Sequence, residues 1–216
     1  MSTARVFSSD ALLGGWLLGL AGFVDAIAFV VLQTSFVAFM SGNTTILGYS
    51  AASGHAEAAG LSALLIALFF VGCVMGAAIV RWAGSSAHRT VMILIAGTTL
   101  IGAIVANTAS PRWGMTLIAL VGGLISSTLA RNTDVHVGLT YVTGTLVKTA
   151  HELVEGIGTA HPWGWLKVIR FWFVFAVGAA AGGFAHHWLG TASLWIAVGM
   201  AAVACVLPYR GSGSAR

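Results

Sequence analysis

Charge is what this chain has least of. Only 7% of its 216 residues are Asp, Glu, Lys or Arg, while 58% are hydrophobic and the mean hydropathy is +0.93. A soluble domain carries about 25% charge, so these polar residues could not cover a water-facing surface. The composition excludes the soluble globular class and makes the lipid bilayer the principal partner. Cysteine is nearly absent. Cys73 and Cys205 both lie in apolar runs, without a Cys or His at metal-ligand spacing, so neither a disulfide framework nor a metal site is expected. No cofactor is expected either. The formal charge of +4 comes from bases scattered one or two at a time, which fits span ends better than a nucleic-acid surface.

Several catalytic signatures are missing as well. His151-Glu152-x-x-Glu155 lacks the second His that a zinc protease needs at i+4. Ser126-Ser127-Thr128 has no Gly-x-Ser-x-Gly elbow. The Asn-Pro-Ala pair of aquaporin-like channels is absent from the sequence. The chain is therefore not read as an enzyme, and water conduction is not the first expectation. Ala26-Ile27-Ala28 resembles a signal cleavage site, yet the apolar run continues past it with only Arg5 upstream, so 11–33 is read as a retained helix.

What the chain has in quantity is apolar length. Runs at about 11–33, 59–80, 90–107, 113–130, 166–187 and 192–208 each approach the roughly 20 residues that a bilayer crossing needs. Two semi-polar segments, 36–52 and 137–150, are too rich in Ser, Thr and Gly to face lipid over a full crossing. With six spans and a cytoplasmic N-terminus, nine of the ten Lys and Arg residues lie inside and only Arg112 outside, as positive-inside bias demands. Trp82, Trp113, Trp163, Trp165 and Trp188 fall at span ends, forming an aromatic belt. The expected location is a bacterial inner membrane with both termini cytoplasmic.

The chain also repeats itself. Phe39-Met40-Ser41-Gly42-Asn43-Thr44 is echoed by Tyr141-Val142-Thr143-Gly144-Thr145. Gly72-x-x-x-Gly76 before Arg81-Trp82 is echoed by Gly178-x-x-x-Gly182 before His187-Trp188. Gly22-Phe23-Val24-Asp25 aligns with Gly123-Leu124-Ile125-Ser126, allowing a one-residue slip. Each half reads span, broken segment, span, span, at about 11–107 and 113–208. An odd number of crossings per half makes the second half enter the membrane from the opposite side. The predicted fold is all-α: one membrane domain, 1–216, of six transmembrane helices as two inverted three-helix repeats, each with a re-entrant broken helix.

Opposed breaks would bring turns at Gly42 and Gly144 together near the midplane, with half-helix starts offering partial positive charge. Ser41, Asn43, Thr143 and Thr145 are capping types, with Thr44 and Lys148 behind them. An acid inside a span costs about 2.5–3.5 kcal/mol on the insertion scale, so Asp25 should face the interior and have a partner. It would serve a proton, a cation or a solute donor, or else act structurally, bonded to the breaks or paired with Lys148. The Gly-x-x-x-Gly faces read as helix glue, including a route to a homo-oligomer.

Gly22-Phe23-Val24-Asp25-Ala26, the run Phe36–Asn43 and Thr143-Gly144 together resemble the YoaK-like family. This is a group of small bacterial membrane proteins filed under a domain of unknown function. The chain departs from that pattern at Ser41, where Thr is usual, and at Ser126-Ser127, where an amide is usual. The resemblance implies a membrane location and no activity. The residues themselves point to a channel or secondary transporter for a small polar or anionic solute. A non-transporting assembly scaffold is the alternative, with a membrane-embedded lipid enzyme behind it.

Overall fold

The computed structural model describes residues 9–129, 142–159 and 162–208, and every regular element among them is helical. In chain order the α-helices are α1 (Ser9–Val31), α2 (Met40–Ala52), α3 (Ala56–Trp82), α4 (Ala87–Thr108), α5 (Pro111–Leu129), α6 (Val142–Glu155), α7 (Leu166–Leu189) and α8 (Leu194–Val206). Arg5, Arg131, Arg210, Arg216 and the phrase 137–141 lie outside the described residues.

The two semi-polar segments become the short helices α2 and α6, of 13 and 14 residues. At about 1.5 Å per residue neither reaches across about 30 Å of hydrocarbon. α8 also has only 13 residues, so the run 192–208 does not make the full-length helix expected of it. The reason is local. Gly190 takes φ +56 after α7, a left-handed value that glycine adopts without strain. A 3₁₀ turn, Gly190–Ser193, then uses up four residues before α8 begins. Four stretches are long and apolar enough to cross a membrane: Asp10–Val31, Ala56–Trp82, Ala87–Thr108 and Leu166–Val206, the last holding both α7 and α8. This is a multi-pass membrane protein.

Burial separates inner helices from outer ones. In α1, 61% of the most apolar window is buried, against 17% in α3. Met115, Ile118, Val121 and Ile125 of α5 are likewise fully buried. By contrast Phe70, Val71, Val74 and Met75 of α3 are exposed, an apolar face that lipid must cover. Trp82, Trp113, Trp163 and Trp188 are all exposed near helix ends.

Two glycine seams hold the inner helices to the outer ones. α7 lies on α1, and a methyl group at Gly178 would collide with the Gly19 carbonyl oxygen, one at Gly182 with that of Phe23. A methyl at Gly22 would in turn strike the Phe175 carbonyl. α3 lies on α5 in the same manner. There Gly72 faces the Leu120 carbonyl, Gly76 abuts Ser127 and Leu124, and Gly123 faces the Phe69 carbonyl. Missing side chains let backbones approach closely, which is how membrane helices associate without a hydrophobic drive between them. Both Gly-x-x-x-Gly faces are filled by the chain's own helices, so neither is open to a second copy.

Polar clasps close the bundle. Trp16 Nε1 donates to the Met200 carbonyl at 2.7 Å, tying α1 to α8. Asn107 Nδ2 donates to the Thr191 carbonyl and its Oδ1 accepts from the Thr191 hydroxyl. Asn107 therefore ties α4 to the turn before α8.

Candidate solute-binding site

The first break lies upstream of its glycine. α1 ends where Gln33 and Thr34 take φ 54 and 82, and residues 35–39 then run non-helically to α2. Left-handed values are costly for a β-branched residue such as Thr34. Gly42 is already inside the first turn of α2, not at a chain reversal. Its missing side chain serves the aromatic rings instead: an added methyl would sit 2.5 Å from the Phe39 ring and 3.1 Å from the Phe36 ring.

Asp25 holds this segment. Its Oδ1 accepts from the backbone N–H of Val37 and of Ala38, each at 2.8 Å, and only 5% of the residue is exposed. From the far side, Gly122 of α5 packs against the Val37 carbonyl and the Ala38 Cα. Asn43 completes the arrangement. It is fully buried, its Oδ1 accepts from the Phe36 N–H at 2.9 Å and its Nδ2 donates to the Phe36 carbonyl at 2.7 Å. Non-helical backbone inside a membrane protein needs such internal partners. Asn43 was expected as a helix cap and a solute ligand, but α2 has no side-chain cap and the amide is spent on Phe36.

A cavity of about 610 Å³ opens beside this segment. Asp25, Ala26, Phe29 and Val30 of α1, with Phe36, Ala38 and Phe39 of the break, form one wall. Val142, Thr143 and Leu146 of α6, with Trp172, Phe175 and Gly183 of α7, form the other. The start of α2 and the first described turn of α6 therefore border the cavity. Both hydrogen bonds of Asp25 end on Oδ1, which leaves Oδ2 to the cavity the residue lines.

Of the residues expected at the site, Asp25 and Thr143 line this cavity and Ser41, Gly42, Asn43, Thr44, Gly144, Thr145 and Lys148 do not. Ser41 and Thr44 are exposed, and the Thr44 hydroxyl donates to the Met40 carbonyl of its own helix. Thr145 is buried. Lys148 is exposed, away from Asp25, whose partners are backbone groups. Sequence reading missed the aromatic wall of Phe29, Phe36, Phe39, Trp172 and Phe175. The spacing of Phe36 and Phe39 across a break was a usable signal; the α7 rings had none.

A second, more polar cavity of about 740 Å³ borders the same segment. Gln33, Thr34 and Ser35 line it, with Thr45 and Tyr49 of α2. His55, Glu57 and Arg112 complete its rim, and Arg112 is ion-paired with Glu57.

A family model described as a protein of unknown function, DUF1275, matches residues 13–207. No curated protein and no solved structure matches the chain significantly.

Proposed function

The chain belongs to the DUF1275 family, and from that premise we propose that it is a secondary transporter that binds a small solute in the Asp25 cavity. The carrying observation is the segment 33–39. Gln33–Ser35 border the polar vestibule, while Phe36, Ala38 and Phe39 border the Asp25 cavity. One short strip of backbone thus lies between two chambers, held on Asp25 by two hydrogen bonds. Releasing those bonds would let the strip swing and join the chambers. The left-handed Gln33 and Thr34 form the hinge, since strained residues favour a second arrangement.

The matched seams support an inverted duplication. α1–α7 and α5–α3 exchange partners glycine for glycine, the pattern a two-fold axis between halves produces. We place that axis in the membrane plane, with halves of about 11–107 and 113–208 in one membrane domain. Both termini are cytoplasmic in a bacterial inner membrane. Rocking one half against the other would then open the cavity alternately. Asp25 is the natural carrier of a coupling proton: protonation weakens its hold on the Val37 and Ala38 N–H groups and so couples charge to gating.

The solute class moves away from a free anion. Asp25 already occupies the place an anion would take ahead of α2, and Oδ2 would repel another. An assembly scaffold has less support, because its Gly-x-x-x-Gly faces are filled internally. The test is flux in proteoliposomes against a panel of small cationic, neutral and anionic metabolites. Asp25→Asn should remain folded, since an amide oxygen can accept the same two N–H groups, while uptake or its pH dependence disappears. Unchanged flux in that variant removes Asp25 from the mechanism.

A further inference from the structure

We propose that the Asp25 cavity selects an amphiphilic organic cation, a quaternary or substituted ammonium carried on an apolar body. The inference rests on the transport reading only for its purpose; binding stands on the geometry alone. Three observations carry it. First, Asp25 is the one charged side chain lining the cavity among the described residues, only 5% of it is exposed, and both of its hydrogen bonds end on Oδ1. Second, five aromatic side chains line the same cavity as that carboxylate. Phe29 and Phe36 lie 5.6 Å apart, centroid to centroid, and Phe36 and Phe39 meet edge to face at 5.2 Å. Trp172 and Phe175 stand on the α7 wall. Ring faces carry negative quadrupole potential and attract cations most strongly where water is excluded. Third, about 610 Å³ is within the range of pockets for drug-sized molecules, roughly 300–1,000 Å³.

The lining also states what is not recognised. Apart from Thr143 and Asp25, every lining side chain among the described residues is apolar or aromatic. A sugar or a heavily hydroxylated solute would lose its hydration without replacement. A quaternary ammonium needs no hydrogen bonds, only a counter-charge and polarisable surface, and the cavity supplies both. The cationic head would sit against Asp25, with the apolar tail along Val142 and Leu146.

The test uses the full-length protein in phosphatidylcholine nanodiscs, with empty nanodiscs subtracted. The probes are octyltrimethylammonium, its neutral tert-butyl isostere and octyl sulfonate, read by equilibrium dialysis and tryptophan fluorescence. The cation should bind at least tenfold more tightly than the isostere, and the sulfonate least. Asp25→Asn should erase the cation's advantage while leaving the isostere unchanged. Trp172→Leu, which leaves the segment bonds intact, should weaken the cation several-fold more than the isostere and decides the matter if the first variant does not fold. Equal binding of all three probes, or preference for the sulfonate, overturns the proposal. Cation binding without flux in proteoliposomes would sink the transport reading alone. Flux of other solutes without cation binding would sink only this inference.

Discussion

Along the α1–α7 seam, Gly22 meets the Phe175 carbonyl and Gly178 that of Gly19; along the α5–α3 seam, Gly123 meets that of Phe69 and Gly72 that of Leu120. Just past these matching contacts the halves part company. Asp25 reaches out of α1 to hold the backbone at Val37 and Ala38. Its counterpart Ser126 turns its hydroxyl back to the Gly122 carbonyl of its own helix, at 2.7 Å. The glycine contacts match between the two seams, while the buried carboxylate belongs to one of them. A contact between a glycine and a carbonyl constrains both helices equally. A buried carboxylate is expensive, and one suffices to hold a segment and face a cavity.

The largest effects should come from the seams. Gly22→Val and Gly123→Val each drive a side chain into a carbonyl of the neighbouring helix, and each should destabilise by about 3 kcal/mol or more. Thermal unfolding in detergent checks this, and unequal losses would break the match between seams. Gly97→Ala, where nothing lies within 4 Å, should stay within about 0.5 kcal/mol.

The next contrast is between the equivalent polar residues. Asp25→Ala strands two buried N–H groups that were bonded to a charge and should cost about 3 kcal/mol. Ser126→Ala removes only a bond within its own helix and should cost less than about 1 kcal/mol. Equal losses would mean that the asymmetry is not energetic. Asn43→Ala forfeits both bonds to Phe36 and should cost about 2 kcal/mol, while Thr44→Ala, exposed and bonded only to Met40, should be near neutral. The smallest effect belongs to the Arg112–Glu57 pair joining the starts of α5 and α3. A double-mutant cycle there should give about 0.2–1 kcal/mol, shrinking with salt.

All eight helices were legible as apolar or semi-polar runs, because lipid forces hydrophobicity and length to travel together. The shortness of α8 was not, since nothing in the hydropathy marks how far the 3₁₀ turn at Gly190–Ser193 extends into the last run. The two seams were legible in the Gly-x-x-x-Gly spacing, which backbone contact fixes. Asp25 was conspicuous as an acid in a span, and bonding to a break was among the readings of it; which groups it would meet was not foreseeable, because they are main-chain N–H groups, which every residue carries. Gly42 and Asn43 were singled out correctly as unusual and given the wrong work. Their triplet looks like a turn and cap, but the chain breaks earlier, and Phe36 takes up the Asn43 amide. The aromatic wall was invisible because it is assembled from α1, the break and α7, and no linear pattern joins those three.

Alternating exposure of the Asp25 cavity is the claim on which the functional account rests. Thr143→Cys, in a background of Cys73→Ser and Cys205→Ser, places a thiol on its α6 wall. Right-side-out and inverted vesicles are treated with a membrane-impermeant methanethiosulfonate. The account predicts modification from each side, slowed from one side when the protein is held in a single state. A thiol that stays unmodified from both sides, or reacts from one side only under every condition, would contradict it.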